Sequence, residues 1–340
     1  MLLFTLALPW SVLRAEVVAD IDAARIPVPD RSETTRNSAR RDGMEQVLVK
    51  LSGSRATLDS PQVQSALRDS RRYLLRYSYE DAGDDSVVLR LEYDGRALRR
   101  LLRDAGEPLW TANRPTVLAW LVVGDGERRR FASDEADPAA RAALEDAFAT
   151  RGVPLQQPLY DLEDLGQLSP GAAWRQSSAA LTSAAARYPE TELLAGRAAE
   201  LADGRMLGEW RFLDRGSWLR RQVEAEDLQA FSRAGADLAA AALAARYAVA
   251  GGGSDELAIV LRVEGVTSYA QFSALREVLE GMEAVERLVP QRLSAREVLL
   301  SVESAATPSQ LARIIGLDGR FSELPAVDDA QLNYRWEAGG

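Results

Sequence analysis

Cysteine and histidine are absent from the 340 residues, and lysine occurs once, at Lys50. Without a thiolate or an imidazole the chain has no disulfide, no cysteine nucleophile, no Ser-His-Asp triad and no histidine-centred acid–base catalysis. It also lacks the ligands on which almost every zinc site depends. A basic balance is missing too. The net charge of −10 and a pI near 4.9 argue against nucleic acid or an anionic membrane as partner, because binding phosphates takes a concentrated basic surface. Arg128-Arg129-Arg130 and Arg220-Arg221 are accompanied by Glu127, Glu209 and Glu224 and read as solvated surface rather than an anion patch. The nearest approach to a phosphate-binding loop, Gly124-Asp125-Gly126-Glu127, is acidic and lacks the Lys or Ser/Thr ending.

The residues present begin with an address. Leu2 to Leu13 form an apolar run of about twelve residues, too short for the ~20 of a membrane span and suited to the core of a secretory signal. Residues 1–15 are expected to be a signal peptide, with an uncleaved N-terminal anchor as the alternative. The mature chain is then periplasmic, with no transmembrane span.

A length of 340 residues exceeds what one core usually serves, so several small domains are expected. The pattern predicts α/β and α+β classes: an α+β unit over 16–112, a central three-layer-type α/β unit over 113–250, a linker at 251–255, and a ferredoxin-like unit over 256–326. A strand or tail follows over 327–340. In the first unit, residues 17–28 read as a strand ended by Pro27 and Pro29. Asp30 reads as the N-cap of a capping box with Glu33. Met44, Val47, Leu48 and Leu51 form one apolar stripe closed by Gly53. Lys50 lies off that stripe in the last turn, where an exposed cation complements the helix dipole. With valine at position 47, the serine that a Ser-Lys pair requires three residues upstream is missing.

A second helix starts at Ser60-Pro61 and runs through Leu74, and Val87, Leu89, Leu91 and Tyr93 mark a half-buried strand. Tyr73, Tyr77, Tyr79 and Tyr93 read as sheet-face core rather than a stacking platform. In the middle unit the continuous run TVLAWLVV fits a strand covered on both faces, and its β-α-β start implies a largely parallel sheet. After GGGS at 251–254 the order is strand, helix, strand, strand, helix, with FSELPA as the last strand. QLNYRWEAGG alternates Leu332, Tyr334 and Trp336 with polar residues and is expected to join a sheet of its own chain, partner capture being the alternative.

The motifs SARRDGMEQVLVKLSG, RYLLRYSYE, EPLW followed by RPTVLAWL, and PLYDLEDL resemble, in that order, a bacterial secreted or envelope family of unknown function, DUF2066, over roughly residues 1–250. The resemblance implies envelope localisation and carries no activity or catalytic residue. The middle unit is also similar to α/β modules of envelope assembly proteins, in fold only.

Asp161, Glu163 and Asp164 are the candidate metal ligands, since clustered carboxylates suit Mg²⁺ or Ca²⁺. The same D-L-E-D spacing fits a helix N-cap with acidic first-turn residues, which is the plainer reading. No catalytic residue, cofactor or cofactor-binding residue is assigned. The sequence therefore points to a non-catalytic interaction or assembly module of the bacterial cell envelope, with envelope proteins as partners. The alternative is a carboxylate-dependent, metal-assisted hydrolase using Asp161, Glu163 and Asp164.

Overall fold

The computed structural model describes residues 15–81, 87–124, 128–189, 191–249, 257–282, 284–294, 296–304, 306–327 and 330–337. The apolar run 1–14, the turn with Asp84 and Asp85, the acidic loop residues 125–127 and the GGGS linker lie outside the described residues. Among the described residues ten α-helices accompany three main sheets and one two-stranded ladder, a mixed α/β architecture. No helix among them is long and apolar enough to cross a membrane.

The first sheet is antiparallel, in the order β2 (Ala23–Val28), β4 (Val87–Tyr93), β3 (Leu74–Asp81). The strand expected over 17–28 is two strands. β1 (Ala15–Val17) leaves to pair with β5 (Asn113–Pro115), and a turn with Asp20 at φ 56° precedes β2. Aspartate is among the few non-glycine residues that enter this region readily. Pro27 does not end β2 but lies within it opposite Val88, tolerated because β2 is an edge strand whose missing N–H costs no ladder bond.

α1 (Glu33–Ser52) is capped by Ser32, which accepts from the Thr35 amide; Asp30 is displaced to an Asx turn, accepting from the Ser32 amide at 2.8 Å. Its stripe of Met44, Val47, Leu48 and Leu51 is buried against Leu89, Leu91 and Tyr93 of β4. Gly53, at φ 75°, ends it as expected. α2 (Pro61–Arg68) stops before Leu74, which opens β3 instead of continuing the helix. α3 (Gly95–Asp104) completes this layer.

The second sheet runs β11 (Ser217–Ala225), β10 (Met206–Asp214), β9 (Glu192–Glu200), β6 (Val117–Gly124), β7 (Arg129–Phe131), with β8 (Leu155–Gln156) also on β6. Only the β6–β9 and β6–β8 pairs are parallel, so the largely parallel sheet expected from the β-α-β start is instead mixed. Short connections explain this. Arg215 and Gly216, both at positive φ, join β10 to β11 in a tight turn that can only be antiparallel.

β6 is buried along its whole length. Val117, Ala119, Leu121 and Val123 face α4 (Pro138–Arg151) and α8 (Leu228–Tyr247), while Leu118, Trp120 and Val122 face the side of α5 (Leu162–Gln167), α6 (Pro170–Trp174) and α7 (Ser178–Ala185).

The third sheet runs β13 (Val285–Leu293), β14 (Glu297–Ser304), β12 (Leu257–Glu264), β16 (Leu332–Trp336), β15 (Phe321–Glu323), with α9 (Tyr269–Glu280) and α10 (Pro308–Ile315) covering it. FSELPA yields only the short edge strand β15. The interior place beside β12 goes to β16, which docks parallel to it and buries Leu332, Tyr334 and Trp336. The sequence pattern accounts for the choice: three large apolar groups on one face of β16 outweigh the single Phe321 of β15 in buried area.

Candidate functional site

Asp161 caps α5, its Oδ1 accepting from the amides of Glu163 at 3.1 Å and Asp164 at 3.0 Å. Arg187, just past α7, then gathers the acidic residues. Its Nη1 and Nη2 meet the two Asp161 oxygens at 2.6 and 2.7 Å, and Nη1 also donates to Asp164 at 2.9 Å. Glu163 stands at the rim, 3.6 Å from the same guanidinium. Asp164 is buried and accepts further bonds from the Tyr188 hydroxyl (2.6 Å) and the Tyr160 amide (2.9 Å).

Hydrogen bonding to Arg187, then to the Asp164 amide, holds the Asp161 carboxyl well below the ordinary carboxylate range. The same Asp161 contact raises Arg187 above its ordinary value. Burial, then the bond it donates to Asp164, pushes the Tyr188 phenol up to about 12. The three sequence candidates are thus brought to one place, where the cation they face is Arg187. Among the described residues no group of three or more acidic side chains is arranged to hold a metal ion. Chemically the cluster is a lock that fastens the start of α5 to the end of α7. Arg187 and Tyr188 were not singled out in the sequence; a bidentate arginine partner 26 positions away leaves no local signal.

Lys50 is not at the surface. It is buried, and its Nζ donates to the Ala23 carbonyl at 2.9 Å. The start of β2 at Ala23, with the turn before it, and Gly152 at the end of α4 lie against the Lys50 side chain, so the off-stripe position is covered by a second layer that helical periodicity does not register. Burial first, and the charge of Arg114 second, lower its pKa to about 8. Arg114 is itself fully buried and stacks 3.8 Å over the Trp110 ring. Its guanidinium donates to the carbonyls of Lys50 (2.6 Å), Thr111 (2.9 Å) and Gly152 (2.7 Å), joining the C-terminal ends of α1 and α4. Cations are favoured where helix carbonyls converge.

β3 exposes apolar side chains at a sheet edge. Tyr93 is buried and Tyr79 half-buried, in keeping with sheet-face core; Tyr73, also half-buried, lies in the 3-10 turn before β3 and is on no sheet, and Tyr77 is 48% exposed and Leu75 68% exposed. Tyr77 packs edge-to-face on Tyr79 at 6.1 Å, with Arg36 and Arg31 over their rings at 5.5 and 5.1 Å. On the other face Arg76 and Arg90 pair with Glu92, and Arg25 with Glu80. Cation-capped aromatics and an ionic ladder thus line the two faces of β3, which carries one register break between Leu74 and Arg76, and its outer edge faces away from β4.

A family model described as a domain of unknown function (DUF8605) matches residues 15–111, a segment that spans the first sheet and ends before β5. This is a different family of unknown function from DUF2066, and the resemblance drawn from the motifs is corrected accordingly. Two of those motifs are an amphipathic helix end and an aromatic edge strand, patterns that the local fold imposes on any sequence adopting it. No curated protein matches the chain.

Proposed function

We propose that the protein is a non-catalytic interaction or assembly module of the bacterial cell envelope, exported by the apolar segment at its N-terminus, and that β3 is the edge through which it takes an extended segment of an envelope partner. The observation that carries this reading is the contrast between β3 and the other sheet edges. An exposed strand edge is a template for pairing, and proteins blunt such edges with proline, bulges, charge or brevity. β2 contains Pro27; β13 contains Pro290 and two register breaks; β7 and β15 are three residues long; β11 carries Arg220 and Arg221. β3 is eight residues long and without proline; its one register break lies at its start, between Leu74 and Arg76, and the regular stretch 76–81 beyond it stands beside the exposed Leu75 and carries the exposed Tyr77. Strand addition there would supply main-chain hydrogen bonds for affinity and side-chain contacts at alternate positions for specificity.

In this reading the chain is organised as three units, with the first close to the segment that the family model matches. The last is ferredoxin-like, a reading supported by the strand-helix-strand-strand-helix order and the antiparallel β13-β14-β12 ladder; the parallel pairing of β16 with β12 departs from that arrangement. Leu75→Lys/Tyr77→Lys tests the function. Both positions are exposed, so the melting temperature should hold while co-isolation of the partner from envelope extract is lost. An intact complex with the doubly substituted chain would contradict it.

A further inference from the structure

In this acidic protein, positive charge collects at one concave place. Beyond the C-terminal end of α1, where α4 ends and the alanine-rich side of α8 passes, lies a cavity of about 590 Å³, within the range that accepts a small organic ligand. Three arginines from separate parts of the chain line it: Arg55 shortly after Gly53, Arg151 at the end of α4, and Arg221 on β11.

The cavity's one acidic side chain, Asp237, is shared between two of them, 3.0 Å from Arg151 Nε and 3.4 Å from Arg55 Nε. Arg221 instead donates to the Ala234 carbonyl at 3.3 Å. Three guanidiniums against one carboxylate leave the walls in excess of positive charge.

Arg151 is 95% buried, since only 5% of its side chain is exposed; its Nη2 donates to the Gly53 carbonyl at 3.1 Å, while Nη1 is closed off from solvent and makes no hydrogen bond. A charged donor left idle inside a protein is costly, and an oxyanion that reaches it as the guanidinium turns toward the cavity relieves that cost. Another wall differs in kind: Ala241, Ala244 and Ala245 on α8, with Ala248 just past its end and Pro108, present small apolar groups and leave room beside the helix. A ligand that uses both walls carries an anionic head and an apolar body.

We propose that this cavity binds a small organic anion, a carboxylate or phosphate ester bearing an aromatic or short aliphatic group. The oxyanion lies among Arg55, Arg151 and Arg221, and the body lies along the alanine face of α8.

Calorimetric titration of the full chain with phenyl phosphate and with 3-phenylpropanoate tests it, with inorganic phosphate and phenol separating head from body. The organic anions should bind and raise the melting temperature, and inorganic phosphate or phenol alone should bind at least about tenfold more weakly. Arg55→Gln and Arg221→Gln replace exposed arginines, so each should fold normally and weaken the organic anions by about tenfold or more. Arg151→Gln should abolish binding; should it fail to fold, the two exposed variants still decide the matter. No binding of either organic anion at millimolar concentration, equal binding by wild type and the Arg55→Gln/Arg221→Gln double variant, or inorganic phosphate binding as tightly as phenyl phosphate would overturn the proposal.

Discussion

The carbonyl of Lys50 accepts a 2.6 Å hydrogen bond from Arg114 Nη2, so the single lysine of the chain and a fully buried arginine meet at the last turn of α1. Two cations are thereby held in one interior region, each tied to main-chain carbonyls: Lys50 to Ala23, and Arg114 to the ends of α1 and α4. The junction fixes where the first sheet's helix meets the second sheet's helix, and it makes the stability of the protein depend on pH through Lys50.

Burial and Arg114 hold the folded Lys50 at a pKa of about 8, whereas the unfolded chain titrates near 10.4. Both states are protonated below about pH 8. Between about pH 8 and 10 the unfolded state binds more protons, so this group makes stability rise with pH across that window. Above it, Tyr93 and Tyr334, whose phenols burial raises well above the ordinary value, act the opposite way. Lys50→Met keeps the aliphatic stem and removes the buried charge. After loss of the bond to Ala23 it should stabilise the protein by about 1–2 kcal/mol at pH 7 and flatten the rise between pH 8 and 10 in urea unfolding. A variant less stable at pH 7 that keeps the rise would contradict this.

Arg114→Lys should fail where a surface exchange would succeed. A lysine has no planar fork with which to reach the carbonyls of Lys50, Thr111 and Gly152 together, and it loses the stacking on Trp110. The carbonyls left buried without a donor make a loss of about 3 kcal/mol or more the expected result in chemical denaturation. A loss below about 1 kcal/mol would show that the junction is not under load.

Gly53→Ala should be costly for two separable reasons. Its φ of 75° disfavours a side chain, and the added methyl overlaps that of Ala244 on α8 and comes within 3.0 Å of Trp110. A loss of about 3 kcal/mol is expected. Adding Ala244→Gly relieves the overlap but not the backbone strain, so the double variant should recover only part of the loss. Full recovery would assign the whole effect to packing.

Much of this was legible in the sequence. The stripe of α1 with Gly53, the both-faces-buried β6 and the Asp161 cap of α5 each follow from local chemistry and are present. What escaped depends on layers that no local pattern encodes. Lys50 looks exposed on a helical wheel and is covered by the start of β2 and the end of α4. The split of residues 17–28 comes from β1 pairing with residues 113–115, nearly a hundred positions away. β16 displaces FSELPA from the interior because strands compete for one place in a sheet, a comparison that neither segment shows alone. At the acidic cluster the three carboxylates were visible, and the arginine that gathers them was not.

Arg187 supplies the next test. Wild-type protein should show no rise in melting temperature with millimolar Ca²⁺ or Mg²⁺, because the guanidinium already occupies the space between Asp161 and Asp164. Arg187→Ala frees those carboxylates and should make the variant less stable and newly responsive to Ca²⁺. A calcium-dependent rise in the wild type that Asp161→Ala/Glu163→Ala abolishes would restore the metal reading.

The central claim is that β3 is a docking edge, and site-specific photocrosslinking in a bacterial host tests it most directly. A photoreactive residue replaces Leu75, which is 68% exposed, and as a control replaces Tyr269, which is 83% exposed on α9. The account predicts one discrete adduct with an envelope protein from position 75, absent from position 269 and lost when Tyr77→Lys is added. Equal adducts from both positions, or none from position 75 while the partner still co-isolates, would contradict it.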